Sequence, residues 1–270
     1  MTPTRGSLTA MLVGLVLGSA ALAGCGTQRA DSAASSGPPS AVSPTPSAVA
    51  PTPSADGFVA SVMRTRDLAT ADLAVTVTTD VGGSARVLTG TGVAAVAQGY
   101  GDMLWTDASG AVTRELSNGK GLFVQTDVPD GTWVRLPDER ATPTGRLVDP
   151  LRGLGGLSDV TEAGTEDLDG LPTTRYTGTL PASPESLALL GFSDEELVAI
   201  GTDWQGGVVD VTVWLDAKGR VVGIERSLAL PEAAAGPVSA STVTGLSDFT
   251  TDIDLEPPPT ESVVEAPDAQ

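Results

Sequence analysis

Along most of the chain, apolar residues alternate with polar ones at a spacing of two. Leu73, Val75 and Val77 are separated by Ala74 and Thr76, and Val209, Val211, Val213 and Leu215 by Asp210, Thr212 and Trp214. Val222, Ile224, Leu228 and Leu230 continue the pattern. A period of two places successive side chains on opposite faces of a sheet, so each run is a strand with one apolar face. Strands are predicted at 73–79, 85–97, 99–106, 111–117, 120–126, 132–136, 159–168, 171–180, 206–215, 220–230 and 239–252. Between them lie Asp80-Val81-Gly82-Gly83, Asp107-Ala108-Ser109-Gly110, Asn118-Gly119, Asp130-Gly131, Asp169-Gly170 and Asp216-Ala217-Lys218-Gly219. Asn, Asp and Gly tolerate the positive φ of tight hairpins, so the series reads as antiparallel, with about ten strands.

Helical spacing is rarer. Phe58, Val59, Val62, Met63 and Leu68 form a stripe ahead of the first strand. Asp149-Pro150 is a helix opening, with Leu147, Leu151, Leu154 and Leu157 on one face and Gly153, Gly155 and Gly156 keeping it short. Ser183-Pro184-Glu185 opens another short helix that stops at Gly191. Ser193-Asp194-Glu195-Glu196 is a capping box opening a third, with Gly201 as its stop.

The two ends follow other rules. Arg5 is the only charge before an apolar run from Leu8 to Leu22 that ends in small residues, the layout of an export signal. Leu22-Ala23-Gly24-Cys25 matches the lipobox of bacterial lipoproteins. That match implies cleavage after residue 24 and acylation of Cys25, with a diacylglyceryl group on sulfur and a fatty acyl group such as palmitate on nitrogen. Residues 25–56, rich in Ser, Ala and Pro, read as the lipidated Cys followed by a disordered tether. Extended at ~3.1 Å per residue, its residues after Cys25 would reach about 96 Å. The stretch 257–270 reads as a disordered acidic tail, leaving one folded body at 57–256.

Composition narrows the chemistry. The chain has no His and one Cys, which removes His-based triads, imidazole bases, most zinc sites and any internal disulfide. Fifteen basic against 34 acidic residues give −19, and loss of Arg5 with the leader leaves 14 against 34, or −20. Such a body repels phosphate backbones, so nucleic acid is not an expected partner. Only 4% of residues are aromatic, so Val, Leu and Ala must fill the core.

Several motifs have simpler readings than the chemistry they suggest. Gly90-Thr91-Gly92-Val93-Ala94-Ala95 fits a dinucleotide fingerprint but lies inside a strand run, not between strand and helix. Ser117-Asn118-Gly119-Lys120 fits S-x-x-K but sits on a hairpin turn. Asp167-Leu168-Asp169-Gly170 lacks the spaced ligands of a calcium loop and serves as a turn. Asp194-Glu195-Glu196 offers paired carboxylates, yet acidic residues in a helix's first turn stabilise it on their own. No catalytic residue, metal site or cofactor is assigned, and no enzyme is predicted.

Trp133-Val134-Arg135-Leu136, Asp149-Pro150-Leu151, the run Gly164 to Gly178, Val213-Trp214-Leu215-Asp216-Ala217-Lys218-Gly219-Arg220-Val221-Val222 and Leu246-Ser247-Asp248-Phe249 together resemble the actinobacterial LppX/LprG-type lipoproteins, of the LolA/LolB-like superfold. The resemblance implies an α+β, mainly β fold: a curved antiparallel half-barrel with helices closing its concave side. It implies a carrier of lipid or acylated glycolipid in an apolar cavity between sheet and helices. The candidate lining is Leu73, Val75, Val77, Leu151, Leu154, Val209, Val211, Val213, Leu215, Val222 and Ile224. The expected setting is the extracytoplasmic face of the cell membrane, held by the acyl anchor, with a transporter or other envelope protein as a possible partner. The same strand pattern also suits a solid core, and with it a protein-binding signalling or scaffold lipoprotein.

Overall fold

The computed structural model describes residues 55–266, apart from 69, 127, 129–130, 137–146, 148, 251–252 and 254. The export signal, Cys25, nearly all of the tether and Asp130 lie outside the described residues. The fold is mainly β. It begins with a helix, α1 (Ala55–Arg66), and continues through β1 (Thr70–Val81), β2 (Ser84–Ala95), β3 (Tyr100–Asp107), β4 (Val112–Asn118), β5 (Gly121–Thr126) and β6 (Trp133–Leu136). After a short 3-10 turn at Leu154–Gly156 come β7 (Ser158–Leu168) and β8 (Leu171–Pro181), then α2 (Pro184–Ala188) and α3 (Asp194–Ile200). The strands β9 (Val208–Asp216), β10 (Val221–Leu230), β11 (Val238–Thr250) and β12 (Val263–Glu265) complete it.

All twelve strands form one open sheet in the order β12-β6-β5-β4-β3-β2-β1-β11-β10-β9-β8-β7. Two sequential meanders, β1–β6 and β7–β11, meet where β1 pairs antiparallel with β11. The central position of β1 explains its regular alternation: Leu73, Val75, Val77 and Thr79 are buried, while Asp72, Ala74, Thr76 and Thr78 are exposed. Turn chemistry acts as expected. The Asp80 carboxylate accepts the Gly83 N–H at 2.8 Å, Asn118 accepts the Lys120 N–H at 2.9 Å, and Asp167 accepts the Gly170 N–H at 2.6 Å. The edge strand β7 is almost wholly exposed and carries two register shifts and several acidic residues, devices that discourage pairing with a further chain.

Four expectations need correction. The sheet has twelve strands rather than about ten: each of the eleven predicted ranges holds one, and Val263–Glu265 adds the twelfth. Those residues belong to the segment expected to be a disordered tail, yet they pair in parallel with β6, the one parallel contact in the sheet. Two β-branched valines meet an otherwise open edge, Val263 and Leu255 pack on the cluster of Leu116, Phe123 and Trp133, and Asn118 donates to the Leu255 carbonyl at 2.9 Å. The stripe on α1 is also rotated: Phe58 and Val62 are buried, but Val59 and Met63 are exposed, and Ser61 and Thr65 take their place. Finally, Asp149-Pro150 opens no α-helix. Gly153 takes φ 82°, a left-handed conformation, and leaves only the 3-10 turn.

Candidate functional site: the roofed face of the sheet

One face of the central strands is covered. Phe58 and Val62 of α1, Leu151 and Leu154 of the turn segment, Leu187 of α2, Leu190 and Phe192 of the α2–α3 connection and Ile200 of α3 join one cluster with the sheet. The cover is held by specific bonds. Thr65 Oγ1 accepts the Val221 N–H at 2.8 Å, tying α1 to β10, and the rings of Phe58 and Tyr176 lie 5.5 Å apart. The Ser183 and Ser193 capping boxes both form, so local sequence sets where the two short helices start.

Glu196 does more than cap. It accepts Thr79 Oγ1 of β1 at 2.8 Å, Arg86 Nη2 of β2 at 2.8 Å and the Ser193 N–H at 2.6 Å, while Arg86 Nη2 also donates to the Gly191 carbonyl at 2.6 Å. Burial alone would push this carboxyl up, but the bonds from Arg86, Ser193 and Thr79 outweigh it and hold it below the usual Glu value of 4.5. A depressed carboxyl contributes stability above its unfolded value and loses it as pH falls through the folded one. Glu196→Gln is therefore expected to lower Tm at neutral pH by the equivalent of about 1–3 kcal/mol, the cost of a charged hydrogen-bond cluster. Thermal melts on both forms check it: the gap should begin to close below the unfolded value of 4.5 and vanish as the pH falls through the lower folded value, where wild-type Glu196 is itself neutralised.

The structure brings together Leu73, Val75, Val77, Leu151, Leu154, Val209, Val211, Val213, Leu215 and Ile224, all buried in the cluster beneath the cover. Val222 is the exception. A register shift between Val221 and Gly223 takes it out of the alternation, and it is buried without joining that cluster. It lines an open groove of about 620 Å³ with the exposed Ala74 and Thr76, a groove that Leu73, Val75 and Ile224 also border. Gly223 and Gly245 belong to the same groove, and Leu168 and Leu171 of the β7–β8 hairpin wall it. The Trp214 indole donates to Glu166, pinning that hairpin.

Sequence reasoning missed two features, an aromatic–methionine pair and a buried cation. Trp105 and Met103, both buried, lie directly over Gly90 and Gly92, so the glycines of the dismissed fingerprint make room for side chains of the next strand. The other is Arg226, which is 2% exposed and sits between Ile224 and Leu228 at an inward position of β10. Its Nη2 donates to the carbonyls of Pro150 at 2.8 Å and Arg152 at 3.1 Å, reaching from the sheet to the cover. Burial, only partly offset by Asp149, pushes its guanidinium down to about 10. The alternation Ile224–Arg226–Leu228 was signal enough to find it. Among the described residues, no group of three or more His, Cys, Asp or Glu is placed to hold a metal.

The geometry defines a mainly β protein with one apolar sheet face under a short helical cover. The chain is similar to the LppX/LprG-type lipoproteins. Over 55 residues it is 40% identical to LppX of Mycobacterium tuberculosis, named as a proposed phthiocerol dimycocerosate transporter, covering 19% of this chain and 24% of that protein. The chain thus spans about a quarter of the length of the curated relatives it matches. The crystal structure of Mycobacterium tuberculosis LppX matches with a TM-score of 0.43 at 18% identity, over 75% of this chain and 100% of that one. LprF of Mycobacterium bovis matches with a TM-score of 0.46 at 18% identity, over 77% and 99%. No family model matches the chain.

Proposed function

We propose that this protein is a non-enzymatic lipoprotein, anchored through acylated Cys25 on the extracytoplasmic face of the cell membrane. It carries lipid or acylated glycolipid between its sheet and its helical cover. The observation that supports this reading most is the composition of the interface. The candidate strand residues contribute Val, Leu and Ile to a largely apolar wall, and the segments over it are the 3-residue turn Leu154–Gly156 and helices of 5, 7 and 12 residues. Short elements held by a few capping and ion-pair bonds separate from a sheet at lower cost than long packed helices. Parting them exposes apolar surface that acyl chains can cover, each buried CH₂ contributing about 0.8 kcal/mol. No helix among the described residues is long and apolar enough to cross a membrane; the proposed attachment is through the acyl chains of Cys25.

Native mass spectrometry of the protein purified from its membrane tests the reading, with co-purified lipid expected. Val213 is fully buried in the wall. Val213→Trp is expected to abolish that lipid and to destabilise the delipidated protein by about 1–3 kcal/mol in denaturant melts, through overpacking. A wild-type protein that carries no lipid would sink the carrier and leave the protein-binding scaffold.

A further inference from the structure

Among the buried polar atoms under the cover that have no partner are Trp105 Nε1, Arg226 Nε and Thr242 Oγ1, and the last two belong to neighbouring residues. Arg226 of β10 and Thr242 of β11 are directly paired across the ladder, and Thr242 is in turn paired with Val77 of β1, while Arg226 is paired with Val211 of β9. Paired residues of an antiparallel sheet lie about 4.5–5.5 Å apart and share a face, so both side chains stand in the row Val211–Arg226–Thr242–Val77. The flanking Val211 and Val77 are 1% exposed, and Thr242 is fully buried.

An isolated guanidinium in such a place is costly unless it is paired. The two carbonyls of Pro150 and Arg152 satisfy Nη2 as hydrogen-bond acceptors but carry no charge. Asp149 acts on Arg226 only at a distance, and its own carboxylate is engaged by Arg66 at 3.4 Å. A structural strut needs neither the charge nor the unused Nε–H, and a neighbouring hydroxyl with nothing to bond adds a second vacancy of the same kind. The vacancy is specific in what it lacks: an acceptor of negative charge. We infer that Arg226 and Thr242 form a recognition point for the anionic oxygen group, carboxylate or phosphate, of an acyl-chain ligand seated between sheet and cover. This rests on the carrier reading and narrows it to anionic lipids. It also accounts for a cation at the centre of an apolar wall in a chain of net charge −19, whose surface would otherwise disfavour such ligands.

The test uses delipidated full-length protein with oleate and oleyl alcohol, which share a chain and differ in charge. Wild type is expected to bind oleate roughly 10- to 100-fold tighter than the alcohol, the range for one charged hydrogen-bonded contact. Arg226→Met should abolish that preference, read as the ratio of oleate to alcohol affinity within the same variant. Thr242→Val keeps the side-chain shape, removes only the unpartnered hydroxyl and should fold as well as wild type. It is expected to cut the preference about 3- to 10-fold, as loss of one neutral hydrogen bond does. Equal binding of oleate and alcohol by wild type would overturn the inference and leave the carrier standing, whereas no binding of either would overturn both. Acetate and inorganic phosphate supply the anion without the chain. If either competes with oleate at equal concentration, the point is a free-anion site and the inference fails.

Discussion

Replacing Cys25 with Ser is expected to abolish acylation and leave the protein either as an unprocessed precursor or released from the membrane. The effect is all-or-none because Cys25 is the only thiol in the chain and Ser cannot form the thioether that precedes cleavage. One acyl chain gives marginal, reversible attachment, whereas the two or three of a mature lipoprotein anchor hold it. With a net charge near −20 after processing, the body contributes no attraction to an anionic surface. Labelling with a fatty-acid analogue and membrane fractionation decide the outcome. A Ser variant that still labels and stays bound would show that the anchor lies elsewhere.

The second large effect is expected inside the sheet. Gly92 faces Met103 across the β2–β3 ladder, and a Cβ there would come within 2.0 Å of the Asp102 carbonyl oxygen and 2.8 Å of the Met103 Cα. Those are backbone atoms held in a central part of the sheet, so they cannot swing aside. Gly90 is crowded differently: its Cβ would meet the Trp105 ring at 2.4 Å, and that ring is itself buried under the helical cover. Gly92→Val is therefore expected to cost about 3 kcal/mol or more, at the upper end of overpacking effects. For a body of this size that is a fall in Tm of roughly 6–12 °C. Gly155, with open space around its Cα, is the control, and Gly155→Ala should change stability by less than about 0.5 kcal/mol. Thermal melts of the three proteins check both, and a Gly92→Val protein as stable as the control would mean that β2 and β3 are not packed as described.

Most of the hairpins were legible because their causes are local. Alternation of Val and Leu with Thr and Asp specifies a strand, and Asp-Gly or Asn-Gly specifies where it turns, whatever the rest of the chain does. The same holds for the Ser183 and Ser193 caps, whose bonds span three residues. These signals also placed the candidate wall on strands and identified which residues share a face, since Val209, Val211, Val213 and Leu215 keep their alternation in the folded sheet.

Tertiary structure decided everything that depends on partners far apart in sequence. The pairing of β1 with β11 puts Leu73, Val75 and Val77 beside the β9–β10 wall, and no local pattern encodes it. The bulge at Val221–Gly223 removed Val222 from the wall, because an extra residue on one strand changes which face its side chain joins. The C-terminal segment looked disordered by composition, yet two valines found the edge of β6, a choice that exists only once the sheet does. The glycines at 90 and 92 had no visible reason until Trp105 and Met103 lay over them. Arg226 is the sharpest case. Sequence alternation already assigns it an inward position, but only the completed sheet surrounds it with apolar side chains, pairs it with Thr242, supplies the Pro150 and Arg152 carbonyls, and leaves its Nε without a partner. A chain pattern determines which way a side chain faces; burial and unmet polarity arise from what the fold brings to face it.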